Sequence, residues 1–157
     1  MTTPLQDYRS MVAFYGPPGE NQTSIQLPYP MVLAWDAKVK ITRMTCHAKC
    51  ADAFSQIFED TLAAYGAAGI KRFRLDQFGG CLNVRKMRGG EAWSIHSWGA
   101  AIDIDPDRNQ LKWHSYKAAL SAKEYDRWWD IVEDVGGVSL GRQKDFDWMH
   151  FQFARLK

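Results

Sequence analysis

The sequence predicts an α+β domain in which a small antiparallel sheet packs against helices. Two segments place apolar residues at helical spacing, several shorter segments alternate like strands, and the two types do not follow each other regularly. That order is typical of α+β proteins, because a parallel α/β sheet needs a helix after nearly every strand. A chain of 157 residues, 46% of them hydrophobic, can bury one core, so we predict a single domain over residues 1–157.

The first third of the chain gives the weakest pattern. Residues 1–13 have a faint helical spacing, and the proline- and glycine-rich stretch at 16–19 predicts a loop. Apolar runs at 31–35 and 39–41 predict short extended segments. Residues 1–45 are therefore an amino-terminal segment whose structure the sequence leaves uncertain.

A long helix is predicted over residues 46–65, where apolar side chains recur every three or four positions and form one face. Gly66 and Gly69 would end it. Residues 70–75 alternate and predict a strand, and residues 81–85 predict a further extended segment. We expect the helix to be the scaffold on which the sheet rests.

The carboxy-terminal part is predicted to contain a second helix and a final strand. Ser121 and Glu124 have the spacing of a capping box, and apolar residues continue from there at helical spacing to Val135, before Gly136. Residues 145–153 alternate and predict a strand.

The net charge of +2 gives no basic surface of the kind that binds nucleic acid. No apolar run approaches the length of a membrane span, and the amino terminus lacks the pattern of a signal peptide. We therefore expect a protein that is made in the cytoplasm and does not span a membrane.

The three cysteines, Cys46, Cys50 and Cys81, are an odd number, which argues against a disulfide framework. Cys46 beside His47 offers a possible metal site. Buried thiols in a reducing compartment explain the cysteines better.

Residues 94–105 are the part of the chain that indicates chemistry. His96 precedes Asp103, and the end of the stretch alternates, so that Asp103 and Asp105 face a cleft while two isoleucines face a core. A carboxylate at the edge of a core needs a partner, and a metal ion is a strong one.

A second candidate segment lies near the end of the chain. Alternation there points Phe151 and Phe153 inward and His150 and Gln152 into the cleft. Two imidazoles and one carboxylate are a normal ligand set for catalytic zinc, with the fourth position left to water. We predict zinc ligands at His96, Asp103 and His150, and Asp147 is placed to handle the proton of that water.

The two segments together resemble the zinc peptidases that cleave peptidoglycan peptides. The matching pattern is Ser94-x-His96-x-x-Gly99-x-Ala101-x-Asp103, followed far downstream by Asp147-x-x-His150. That family includes D-alanyl-D-alanine carboxypeptidases and dipeptidases and phage L-alanyl-D-glutamate endolysins. It shares its fold with the amino-terminal domain of hedgehog proteins, so the resemblance implies a hedgehog/DD-peptidase-like fold.

The resemblance also implies roles for individual residues. Asp147 would take a proton from water and pass it to the departing amine. A cation upstream of the histidine motif would stabilise the oxyanion; Arg85 is our choice, with Arg74 or Arg88 as alternatives. Two further residues, Ser94 and Trp148, are candidates for binding substrate. Ser94 would contact substrate or brace the site.

Aspartate in the Asp-x-x-His motif resembles the endolysin branch, whereas glutamate there resembles the dipeptidases. The expected function is therefore zinc-dependent cleavage of the L-alanyl-D-glutamate bond by a phage endolysin. Such a protein would reach the cell wall after release through a separate membrane pore, act as a monomer and carry no separate wall-binding domain. The alternatives are a D-alanyl-D-alanine carboxypeptidase and, from another class, a non-catalytic zinc-containing binding module.

Overall fold

The computed structural model describes residues 2–157 and shows an α+β chain with two three-stranded sheets. The α-helices of these residues are α1 (Tyr8–Tyr15), α2 (Ala51–Arg72), α3 (Asp126–Asp134) and α4 (Leu140–Lys144). The strands are β1 (Gln22–Leu33), β2 (Asp36–His47), β3 (Gln77–Phe78), β4 (Ala101–Asp103), β5 (Val138–Ser139) and β6 (His150–Gln152). None of these helices is long and apolar enough to cross a membrane.

The first sheet is a long hairpin of β1 and β2, with β3 parallel to β1 at its far edge. The hairpin is much longer than the two extended segments predicted at 31–35 and 39–41. Pro28 and Pro30 interrupt the apolar pattern inside β1, and the pairing register shifts between Gln26 and Met31, because proline has no amide hydrogen for the ladder. The strand therefore begins at Gln22, well before the extended segment predicted at 31–35.

The central helix begins later than predicted; it is broken at the predicted stop, Gly66, and a second helical stretch continues beyond it. Residues 46 and 47 belong to β2, and α2 runs from Ala51 to Arg72 with a non-helical residue at Gly66 (φ 69°, ψ 169°). The strand predicted at 70–75 is wrong, because the backbone amide of Phe73 bonds to the carbonyl of Gly69 and closes the helix.

The predicted capping box is also wrong. Ser121 Oγ lies 2.6 and 2.7 Å from the backbone carbonyl oxygens of Ser115 and Ala118, so its one hydrogen is directed at these acceptors and the side chain does not cap a helix. A 3-10 turn, Lys123–Tyr125, leads into α3 instead. At the end of the chain a strand is predicted over residues 145–153, but only β6 (His150–Gln152) is a strand.

The second sheet has the order β4-β6-β5 and is antiparallel throughout. Phe151 on β6 and Phe153, which follows β6 directly, are fully buried, and their rings lie 6.0 and 4.9 Å from the ring of Phe54 on α2. This contact confirms that α2 supports the sheet. The three cysteines are buried and free, as predicted.

Asp105 follows β4 and is fully buried between two arginines. Its carboxylate accepts hydrogen bonds from Arg74 Nε (3.1 Å) and Arg108 Nε (2.6 Å). The residue has left-handed backbone angles (φ 50°), which turn its side chain away from the face that Asp103 occupies. The expectation that Asp103 and Asp105 share a cleft face is therefore wrong.

We predict that Asp105→Asn lowers the free energy of unfolding by about 2 kcal/mol, because it removes a buried charge that two guanidinium groups compensate. Asparagine tolerates the left-handed conformation, so the substitution tests the charge and not the backbone. Urea denaturation measures the change. The exposed Asp107→Asn is the control and should stay within about 0.5 kcal/mol of wild type; equal losses in both variants would contradict the role given to Asp105.

Candidate metal centre

The structure brings His96, Asp103 and His150 together. His96 Nε2 lies 3.3 Å from Asp103 Oδ2, and His150 Nδ1 lies 3.3 Å from Asp103 Oδ1. One ligand atom from each residue falls within 4.8 Å of the other two. A group of this size and composition could hold one metal ion.

Two local features position these side chains. Asp103 on β4 pairs with His150 on β6 in the antiparallel register, so both side chains leave the sheet on the same side. His96 lies on a 3-10 turn, Ile95–Trp98, which Ser94 caps by accepting a hydrogen bond from the His96 amide (3.3 Å). Gly99 ends that turn with φ 66°, and a Cβ there would lie 2.8 Å from the amide nitrogen of His47.

Hydrogen bonds behind the two imidazoles decide which nitrogen faces the site. His96 Nδ1 lies 2.8 Å from the carbonyl oxygen of Cys81, which accepts a hydrogen bond from it, and this leaves the lone pair of Nε2 free. His150 Nε2 lies 2.8 Å from Gln152 Oε1, which leaves Nδ1 free. The Gln152 amide donates to the oxygens of Ala154 (2.9 Å) and Gln6 (3.1 Å), so its own oxygen must point at His150.

The free nitrogens and the carboxylate of Asp103 are then all hydrogen-bond acceptors. Asp103 Oδ1 is buried and makes no hydrogen bond within residues 2–157. Acceptor atoms that face one another in a buried site without a donor repel each other and lack the hydrogen bonds that water would give them. A cation bound between them removes this unfavourable free energy. The residues present therefore fit a divalent metal ion.

The electrostatics of the three residues are coupled. Burial raises the pKa of Asp103, but the neighbouring imidazoles of His96 and His150 outweigh it and hold that pKa below its ordinary value. Burial lowers the pKa of His150, and the Asp103 carboxylate outweighs this and raises it. A proton on His150 and a metal ion would use the same lone pair, so metal binding should release protons and weaken as the pH falls.

Asp147 lies directly beside the three-residue group. Its Oδ2 is 3.9 Å from His150 Nδ1, and its side chain is largely buried. Burial raises the pKa of Asp147 to about 6, although the nearby charges of His150 and Arg85 oppose the rise. The residue is in a turn before β6, with φ 52°, and not on the predicted strand.

A cleft of about 190 Å³ opens onto this group and is lined by Trp35, Asn83, Arg85, Arg88, His96 and Asp103. Two of the three candidate oxyanion cations, Arg85 and Arg88, therefore border the site. Arg74 does not, because it bonds to the buried Asp105. A larger groove of about 360 Å³ near Leu5 and Phe14 has no acidic or histidine side chain in its lining.

The two residues predicted to contact substrate, Ser94 and Trp148, make their contacts within the protein. Ser94 is buried and caps the turn that carries His96. Trp148 is buried, donates its indole N–H to Asp145 Oδ1 (3.0 Å), and packs so closely on Gly141 that a Cβ there would clash with the indole ring. Neither side chain lines the cleft, and a substrate contact for either stays a prediction.

Sequence reasoning missed Trp35 and the role of Gln152. The alternating pattern placed Gln152 on the same strand face as His150, but it did not identify the hydrogen bond between the two side chains. Trp35 lies in the turn between β1 and β2, and no local pattern connects it with the motifs.

Comparison with known proteins identifies no relative: no protein-family model, curated protein or solved structure matches the chain significantly.

We predict that Gln152→Ala weakens binding of a divalent metal about 10- to 100-fold, because His150 loses the acceptor that orients its ring. Calorimetric titration of chelator-treated protein measures the affinity. Gln26→Ala, an exposed change on β1, is the matched control. Equal affinities of wild type and Gln152→Ala would show that the hydrogen bond does not orient a ligand.

A second prediction concerns the stability of chelator-treated protein. Folded Asp147 keeps its proton up to about pH 6, whereas the unfolded chain loses it near the ordinary value of 3.8. Between these values the folded state binds more protons, so this group makes the protein less stable as the pH rises. Relative to Asp147→Asn, wild type should lose at most about 1.4 kcal/mol of unfolding free energy per pH unit in this window.

Urea midpoints measured from about pH 4 to about pH 6 test this dependence. The exposed Asp134→Asn variant should follow wild type. If Asp147→Asn also runs parallel to wild type, the carboxyl of Asp147 does not have a raised pKa.

Proposed function

We propose that the chain is a zinc-dependent peptidoglycan peptidase that hydrolyses stem-peptide amide bonds, and that it is an L-alanyl-D-glutamate endopeptidase acting as an endolysin. The observation that carries the proposal is the convergence of His96, Asp103 and His150 with Asp147 at their side. The spaced pattern of these residues supports it through its resemblance to the zinc peptidases. The same resemblance supports a hedgehog/DD-peptidase-like fold for the α+β chain.

Zinc is the metal that best fits this ligand set. Two imidazole nitrogens and one carboxylate oxygen are a normal set for a catalytic zinc, whereas calcium and magnesium prefer oxygen ligands. When bound there, zinc supplies Lewis-acid chemistry: it acidifies a water molecule and polarises a carbonyl group.

Asp147 is the group that moves protons. Its carboxylate accepts a proton from the attacking water as the water oxygen bonds to the scissile carbonyl carbon. It then returns that proton to the amine nitrogen as the carbon–nitrogen bond breaks. Its position beside His150, and a pKa that burial raises to about 6, suit a group that must both take and give a proton near neutral pH.

Arg85 is the proposed oxyanion cation. It borders the cleft together with His96 and Asp103. A guanidinium group can donate two parallel hydrogen bonds to an oxygen on which negative charge develops, and such donors act most strongly where water is excluded. Arg88 borders the same cleft and is the remaining alternative.

Digestion of purified peptidoglycan, with mass spectrometry of the new termini, tests the proposed bond. We expect new amino-terminal glutamate and a free L-alanyl carboxyl end. Release of free D-alanine as the sole product would instead support the carboxypeptidase. If zinc-loaded protein cleaves no bond, the result would contradict both peptidase hypotheses and support the non-catalytic binding module.

We predict that Asp147→Asn lowers the hydrolysis rate about 100-fold or more while one zinc ion stays bound, because the amide keeps the shape of the side chain but cannot accept the proton. Zinc content is measured on the same samples. Asp134→Asn is the control on an exposed surface and should keep wild-type activity. Hydrolysis at the wild-type rate by Asp147→Asn would overturn the proton-transfer role.

A further inference from the structure

Trp35 differs from the other tryptophans of the chain. All seven lie within the described residues 2–157. Four are buried in the core: Trp98, Trp128, Trp129 and Trp148. Trp93 and Trp113 pack against the core with a lysine ammonium over each ring, whereas Trp35 is 69% exposed. A large aromatic ring with this exposure adds little to folding.

The backbone holds Trp35 at the edge of the metal-site cleft. Its turn follows β1, and the amide of the preceding Ala34 donates to the carbonyl of Phe78 (2.9 Å). The next two residues after Phe78 form backbone hydrogen bonds with Asp103. Gly79 N donates to Asp103 O (2.8 Å), and Asp103 N donates to Gly80 O (3.0 Å). A short run of hydrogen bonds thus fixes the turn of Trp35 relative to the carboxylate of the site.

Arg88 borders the same cleft from a different segment. The segment is held by the hydrogen bond from Met87 N to Ala92 O (2.7 Å) and by the bridge between Lys86 and Trp93. Arg88 is exposed and, within residues 2–157, makes no ion pair with a carboxylate. Its positive charge is therefore available to a ligand in the cleft.

We propose that Trp35 and Arg88 form a substrate subsite that selects acidic peptides: the indole packs on the peptide beside the scissile bond, and the guanidinium binds a free carboxylate of that peptide. The inference rests on the proposed function and names the substrate class of the same site. Arginine pairs with carboxylates through two parallel hydrogen bonds, and an aromatic face packs on a peptide at little entropic cost.

Two parts of a stem peptide could supply the carboxylate. A glutamate that is linked onward through one carboxyl group keeps the other one free, and a peptide that ends in D-alanine has a terminal carboxylate. Both present the same chemistry to Arg88, and substrates that differ only at one of these groups distinguish them.

The test uses zinc-loaded full-length protein and four synthetic stem peptides. One pair has either a free carboxylate or a carboxamide on the D-glutamate, and the other pair has either an acid or an amide at the terminal D-alanine. KM and kcat are measured for wild type and four variants: Trp35→Ala, Trp35→Phe, Arg88→Gln and, as a charge control on the exposed face of α3, Arg127→Gln.

We expect Trp35→Ala to raise KM about five- to tenfold with a much smaller effect on kcat, and Trp35→Phe to restore most of the loss. Arg88→Gln should raise KM for one carboxylate peptide to the value of its amide partner, and the pair that responds identifies the carboxylate. Arg127→Gln should retain the wild-type discrimination. An unchanged KM in Trp35→Ala, or an equal loss on acid and amide peptides in Arg88→Gln, would overturn the subsite.

A binding measurement separates failure of the subsite from failure of the proposed function. If wild type cleaves none of the peptides, the peptidase proposal fails. Peptide affinity of zinc-loaded Asp147→Asn, with and without Trp35→Ala, then decides the subsite. At least a fivefold loss on removing Trp35 supports it, and equal affinity or no binding overturns it.

Discussion

The antiparallel pairing of β4 with β6 is the constraint on which the site depends. It sets Asp103 opposite His150, while the alternate residues Ile102 and Phe151 are fully buried on the other side. Side chains on a strand alternate between faces, so a slip of one residue would send His150 into the core and Phe151 to the cleft. The packing of Phe151 and Phe153 on α2 opposes that slip, and hydrophobic burial thereby fixes the geometry of a polar site.

Most of the remaining parts of the site come from turns and loops outside this sheet. The His96 turn is tied to Cys81 and capped by Ser94, and Gln152 holds the ring of His150 from behind. Asp147 reaches the site from a turn with left-handed backbone angles. The candidate ligands are thus held by buried hydrogen bonds, whereas the residues proposed to meet a substrate, Trp35 and Arg88, are exposed at the edge of the cleft.

Sequence reasoning predicted the parts of the structure that follow a local period. The alternating pattern placed Asp103 and His150 on the cleft side of their strands, and the spacing of the motifs predicted that His96 lies beside them. It failed where long-range packing decides: the hairpin continues past two prolines, residues 70–75 end a helix, and Asp105 turns away to meet two arginines. No local pattern separates Arg74 from Arg85 and Arg88, because their distances from the site depend on ion pairing and on loop paths.

Zinc-edge X-ray absorption of the purified protein tests the central claim most directly, since it reports both the presence of the metal and the atoms that bind it. With His96, Asp103 and His150 as ligands, the spectrum should show only nitrogen and oxygen neighbours at about 2.0–2.1 Å, with the multiple-scattering signature of two imidazoles. A sulfur neighbour at about 2.3 Å would place the metal on the cysteines instead. That result, or a protein that takes up no zinc, would contradict the account.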